Sequence, residues 1–297
     1  MIKLNFLGTS DAIPTAMRNH ISVLLTYEGE NILFDCGEGT QRQFRKAQLN
    51  PNKVTRILIS HWHGDHVLGI PGLLQTMSLT GYNKPLYIYG PKGTKRFMNQ
   101  LLKTFAFKKN YEIKVQEVSG KFFENKDFCL EAKSISHGIP CNAYSFVKKG
   151  LIRIDRNKLK KTGLPNLPFL KNLKKGKNIT YKGKKYLAKN LTFKEKDIKV
   201  SFVMDTQFNE SIAPFVKNSD VLICESTFSK ELEELAREHK HLTSEQAAEI
   251  AKKAKVGKLV LTHISQRYEN NLNIILNEAK KVFKNSVLAS DLMSMDV

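Results

Sequence analysis

The chain has 297 residues, room for one large domain or two small ones with a self-sufficient core. Apolar residues make up 41% and charged residues 26%, an ordinary soluble balance, and no apolar run approaches the roughly 20 residues a membrane span needs. Formal net charge is +20, a surplus that draws polyanions, nucleic acid foremost among them.

Taken in chain order, Met1–Phe6 leads straight into Gly8-Thr9 with no long apolar core and no cleavage site, so no signal peptide is expected. Ile2–Leu7 reads as a strand. Ile21–Tyr27 and Asn31–Asp35 flank Glu28-Gly29-Glu30, a hairpin signal. Gly39–Ala47 has helical composition. Arg56–Ser60 is a buried-strand pattern running into His61. Gly69–Thr80 reads as a helix, Leu86–Tyr89 as a strand and Thr94–Lys103 as a helix. Ile113–Ser136 reads as strands with turns at Ser119-Gly120 and Glu124-Asn125.

Lys148–Lys185 breaks this rhythm. It has several Gly and Pro residues and few periodic apolar positions, and it carries 14 Lys or Arg against one acid, Asp155, a net +13. We read it as an inserted arm, partly helical at Arg156–Thr162. Strands resume at Lys199–Met204 and Val221–Cys224. Thr243-Ser244-Glu245-Gln246 has capping-box spacing and starts a helix. Lys258–Thr262 is a strand that runs into His263. Strands alternating with helices through both halves give an α/β class. No repeat of 20–50 residues is present. Cys36, Cys129, Cys141 and Cys224 form no CxxC pair, which fits reduced thiols in a cytosol; Cys141, four residues after His137, reads as a buried thiol ahead of a metal ligand.

His61, His63, Asp65 and His66 fall within six residues at a strand end. Extended geometry would point His61 and His63 the same way, and Gly64 permits the turn that brings Asp65 and His66 round. Imidazole and carboxylate are standard zinc ligands, and open catalytic sites mix them. A structural role explains a lone histidine well, but not three with an aspartate on one turn. His137, Asp205 and His263 each follow an apolar run, where sheet-borne ligands converge. Asp35, ending a strand, reads as a hydrogen-bond acceptor that fixes a ligand histidine.

His-x-His-x-Asp-His with a later His, Asp and His resembles the metallo-β-lactamase superfamily over nearly the whole chain. Within it the sequence is most similar to the ribonuclease Z family. The supporting segments are Leu7-Gly8-Thr9 with Pro14-Thr15 and Arg18-Asn19, Phe34–Gln41, Ser60–His66 with Gly69–Leu74, Met204-Asp205-Thr206, and His241-Leu242-Thr243. The resemblance implies an αββα four-layer sandwich of two mixed sheets with helices outside, a single domain over 1–297 carrying a tRNA-binding arm at about 148–185. It implies two Zn2+ per subunit: one held by His61, His63 and His137, the other by Asp65, His66 and His263, with Asp205 bridging. Asp65 would accept the proton of the attacking water. His241 would serve the leaving oxygen, with Glu225 holding its ring. The implied activity is removal of the 3′ trailer from precursor tRNA by a cytoplasmic homodimer, with no membrane involved. Arg18 could meet a phosphate from its early loop.

Two rivals stand beside this reading. One is a metal-dependent hydrolase of a small ester, an arylsulfatase or cyclic-nucleotide phosphodiesterase on the same fold. The other is a nucleic-acid-binding protein with a degenerate site, which a complete set of seven ligand candidates disfavours. The charge concentrated in the insertion favours structured RNA as substrate.

Overall fold

The computed structural model describes residues 1–106, 110–165 and 167–297. Among these the chain divides into two compact units, one of residues 1–124, 129–146 and 199–297, the other of residues 125–128 and 147–198.

The larger unit contains two seven-stranded sheets. The first runs edge to edge through Ser294–Asp296, Ile2–Gly8, Ser22–Tyr27, Glu30–Phe34, Arg56–Leu58, Leu86–Gly90 and Ile113–Glu117. Its early pairings are antiparallel, closed by the two-residue turn Glu28-Gly29, and those from Glu30–Phe34 onward are parallel. The second runs through Ser286–Leu288, Lys258–Thr262, Val221–Glu225, Ile198–Val203, Pro140–Lys148, Phe128–Ser136 and Gly120–Glu124. Parallel pairings join its first four strands, and Gly120–Glu124 pairs antiparallel with Phe128–Ser136. Parallel strands are covered on both faces, which is why Val221–Glu225 and Lys258–Thr262 read as continuous apolar runs.

The sheets pack face to face. Phe34 stacks on Phe202, Phe34 and Tyr27 meet Tyr144 and Phe146 edge-on, and the Tyr144 hydroxyl donates to the Ile59 carbonyl at 2.7 Å. On the outer face of the first sheet, Phe44 from helix Thr40–Lys46, Leu73, Leu74 and Met77 from helix Ile70–Leu79, and Met98 from helix Thr94–Thr104 join Leu33, Ile57 and Ile88 in one buried cluster. On the second sheet, Ala247, Ile250 and Ala251 from helix Ser244–Lys253 and Ile275 and Ala279 from helix Asn273–Val282 cover Leu222, Leu259 and Leu261. This is the metallo-β-lactamase fold, helices outside two mixed sheets. The capping box at Thr243 forms in both directions.

The smaller unit has a core of its own. Leu164, Leu170, Leu173, Ile179, Ala188 and Leu191 are buried together. Ile152–Ile154 pairs with Thr192–Lys194, and Ile179–Tyr181 forms a hairpin with Lys184–Tyr186 through Lys182-Gly183. The sequence pattern leaves this core unread, because its apolar residues are scattered singly among lysines. The expected helix forms over Arg156–Lys161, capped by Asp155, whose side chain accepts from Lys158 N. Asn166 lies outside the described residues. No helix among the described residues is long and apolar enough to cross a membrane.

Candidate metal centre and active site

All seven proposed ligands lie at C-terminal strand ends or in the loops that follow. His61, His63, Asp65 and His66 come after Arg56–Leu58 of the first sheet. His137, Asp205 and His263 come after three strands of the second. The short helix Gly64–Val67 turns Asp65 and His66 inward. Gly37 and Gly69 let backbone pass close behind it: a side chain at Gly37 would run into the Asp65 carbonyl, and one at Gly69 into the Gly37 carbonyl.

The ligand atoms converge in two groups. His61, His63, His137 and Asp205 form one; Asp65, His66, Asp205 and His263 form the other, each within 4.8 Å. Asp205 belongs to both. Its Oδ2 stands 3.6 Å from His61 Nε2, 3.5 Å from His137 Nε2 and 3.4 Å from His66 Nε2, and its Oδ1 stands 3.2 Å from His263 Nε2. His61 Nε2 and His63 Nδ1 are 2.9 Å apart, so the two rings do face one way.

Three of the rings are aimed from behind, on the nitrogen turned away from the cluster. His66 Nδ1 donates to Asp35 Oδ2 at 2.8 Å, and that carboxylate also accepts from Ser60 N at 2.7 Å and Ser60 Oγ at 2.8 Å. His137 Nδ1 donates to the Lys240 carbonyl at 3.0 Å. His263 Nδ1 donates to Thr227 Oγ1 at 3.0 Å. Such outer partners fix the tautomer that leaves the inner nitrogen free to ligate.

The electrostatics follow from burial and crowding. Burial pulls His61 well below the ordinary imidazole range, and neighbouring imidazoles add to it. Burial alone would raise Asp205, but His263, His66 and the other rings outweigh it and hold the carboxyl well below its usual value. Burial would also raise Asp65, yet His66 and His263 keep it far below the carboxylate range. His66 Nε2 and Asp205 Oδ1 are buried without a hydrogen-bond partner. Orphaned polar atoms facing a nest of imidazoles and carboxylates are costly unless a cation satisfies them, so these residues fit bound metal.

His241 stands beside the second group. Its Nδ1 donates to Glu225 Oε2 at 3.0 Å and lies 4.0 Å from Asp205 Oδ2. Burial would lower its pKa, but the Glu225 and Asp205 carboxylates outweigh that and raise it to about 9. Glu225, fully buried, is held by Thr206 N at 2.6 Å and by the Thr227 hydroxyl at 2.7 Å. Thr227 thus links the Glu225–His241 pair to His263. Sequence reasoning passed over it, although two residues beyond Glu225 at a strand end it was placed to face the same way.

One expectation, a phosphate contact for Arg18, meets a different structure, while Cys141 is the buried thiol expected. Arg18 is buried: it donates to the Thr9 carbonyl at 2.6 Å and to Thr9 Oγ1 at 3.1 Å, so it braces its own loop. Cys141 is buried, donates to the Asp205 carbonyl at 3.5 Å, and belongs to neither ligand group. His239 is exposed on the helix Glu233–His239 and outside the ligand groups, which leaves His241 as the histidine of the site.

The model of the beta-lactamase superfamily domain matches residues 171–264, and that of the anti-Pycsar protein Apyc1 matches residues 2–131. Among curated proteins the chain is similar to ribonuclease Z of Methanothermobacter thermautotrophicus, 40% identical over all of this chain and 97% of that one. It is also similar to ribonuclease Z of Bacillus velezensis, 39% identical over 100% and 99%. Among solved structures it resembles human tRNase Z, short form, with 29% identity, a TM-score of 0.70 and 99% of each chain covered. On sequence along its whole length and on fold, the chain belongs to the ribonuclease Z family.

Proposed function

We propose that the protein is an endoribonuclease that removes the 3′ trailer from precursor tRNA, using two Zn2+ ions per subunit. The observation that carries this reading is the meeting of seven His and Asp side chains from both sheets in two groups that share Asp205, in a chain of the ribonuclease Z family. His61, His63 and His137 would hold one ion, Asp65, His66 and His263 the other, and Asp205 both. Bound zinc would supply Lewis acidity toward the phosphate and lower the pKa of water towards roughly 7.

The chain's own residues do the rest. Asp65, kept ionised by His66 and His263, accepts the proton of the attacking water. His241, kept protonated by Glu225, donates to the departing O3′. The tRNA leaves with a 3′ hydroxyl and the trailer with a 5′ phosphate. The smaller unit is the arm that grips tRNA: Arg153, Arg156, Lys160 and Lys174 rim a groove of about 630 Å³ floored by leucine and isoleucine. Its concentrated charge suits phosphate binding without sequence reading. We further propose a homodimer working in the cytoplasm. Leu68, which ends the short helix Gly64–Val67, and Leu79, at the end of helix Ile70–Leu79, are both exposed and available for self-association, and all four cysteines are free.

The test is incubation with a precursor tRNA bearing a 3′ trailer, with and without chelator, and mapping of the cut. One cut leaving a 3′ hydroxyl, abolished by chelator, is the expected result. Hydrolysis of aryl sulfates or cyclic nucleotides with no cut in tRNA would overturn the reading.

A further inference from the structure

A cavity of about 420 Å³ opens directly beside His241, with His241 itself in its wall. One side is the segment after Asp205. Thr206 N donates to Glu225 Oε1 at 2.6 Å and Gln207 N donates to the Ser136 carbonyl at 2.7 Å, so the backbone carrying Phe208 is pinned to the same framework that holds Glu225 and His137. Phe208 is 40% exposed. A single exposed aromatic is ordinary on a protein surface. A rigidly carried one in the wall of a cavity next to a proton donor is not.

The other side is the helix Glu233–His239, which contributes Glu233, Glu234 and Arg237. Among the described residues the Arg237 guanidinium makes no ion pair. Glu233 Oε1 accepts from Gln246 Nε2 at 3.1 Å, and Gln246 Oε1 accepts from Thr243 N at 3.0 Å, so that carboxylate is positioned through the capping box. The charge here runs against the rest of the molecule. In a chain of net +20, this wall sets two carboxylates against one arginine. A phosphate subsite would want the opposite. An aromatic face, carboxylate acceptors and one guanidinium suit the uncharged part of a nucleotide. The base stacks on the ring or guanidinium plane, and exocyclic amines or ribose hydroxyls donate to the acids.

Which nucleotide follows from the proton. Under the reading above, on which this inference rests, His241 donates to O3′ of the last retained residue. The nucleoside carrying that oxygen must lie against His241, on the side where the cavity opens. We propose that the cavity walled by Phe208, Arg237, Glu233 and Glu234 is the subsite for the base of the last nucleotide kept on the tRNA, immediately 5′ of the cut. Phe208 is its stacking platform. The trailer's first base lies elsewhere.

The experiment pairs Phe208→Ala and Phe208→Tyr with three precursor substrates: intact, abasic at the last retained nucleotide, and abasic at the first trailer nucleotide. Melting temperature and bound metal serve as controls for folding. Phe208→Ala should lower kcat/KM roughly tenfold on the intact and trailer-abasic substrates, the scale of one lost base–aromatic stack, and match the unmutated protein on the other abasic substrate. Phe208→Tyr should keep the rate. An equal loss on all three substrates, or one that vanishes only when the trailer base is missing, overturns the assignment. Failure of the unmutated protein to cut the intact precursor would instead sink the tRNA reading, and the subsite with it.

Discussion

The Lys240 carbonyl accepts the Nδ1 proton of His137 at 3.0 Å, and Lys240 reaches that position in the left-handed backbone region, with φ of 59°. It ends the helix Glu233–His239 and turns the chain so that the next residue, His241, enters the site. The backbone aims one histidine and delivers another, and neither task needs the lysine side chain. Glycine adopts this conformation without steric cost. Lys240→Gly should therefore raise stability by about 1 kcal/mol, seen in denaturant unfolding, with bound metal unchanged. A loss of metal on that substitution would show that the side chain, not the carbonyl, matters to His137.

His241 should be protonated until the pH rises through about 9, because burial is outweighed by the carboxylates of Glu225 and Asp205. A raised imidazole pKa stabilises the fold fully below about 6.5, and that contribution is lost as pH climbs through 9. The activity limb has the same sign: kcat falls on the alkaline side. In Glu225→Gln that limb should move to lower pH, so the variant loses more rate at pH 8 than at pH 6.5. A pH profile of kcat checks this, and an unshifted limb means Glu225 does not hold the proton on His241.

Asp205 is common to both ligand groups, whereas His63 belongs to one. Asp205→Asn should lower bound metal by more than one ion per chain, and His63→Ala by at most one, measured by elemental analysis after dialysis. Equal losses would break the bridging role.

The smaller unit stands on its own core, so it should fail separately. Leu173 is completely buried there. Leu173→Ala should cost about 2–5 kcal/mol within that unit. Precursor tRNA binding should weaken while bound metal and hydrolysis of bis(p-nitrophenyl) phosphate stay intact. If small-substrate hydrolysis fell in parallel, the unit would not be a separate substrate grip.

Much of the candidate centre was legible because four of the proposed ligands, His61, His137, Asp205 and His263, follow apolar runs. Arg56–Ser60 announces His61, and Leu259–Thr262 announces His263. Asp35 was readable for the same reason. What escaped was non-local or aperiodic. The strand Ser294–Asp296 is three residues long, and only its pairing with Ile2–Gly8, across the length of the chain, makes it a strand. Leu170, Leu173, Ile179 and Leu191 become a core only through turns the lysine-rich composition conceals. Arg18 looked like a phosphate ligand by type. Its partner, the Thr9 carbonyl, is a backbone atom that residue type does not reveal.

The stack of Phe34 on Phe202 lies just before Asp35 on one sheet and Asp205 on the other. Every hydrogen-bonded ladder stays within its own sheet, while the seven proposed ligands are drawn from both. Ions seated among them would therefore act as a clasp across a seam, adding to the aromatic packing and the Tyr144–Ile59 hydrogen bond that join the two halves there. A chain stripped of such ions would keep both sheets and lose that added fastening. Catalytic power and part of the mechanical cohesion of this molecule would then depend on the same few atoms.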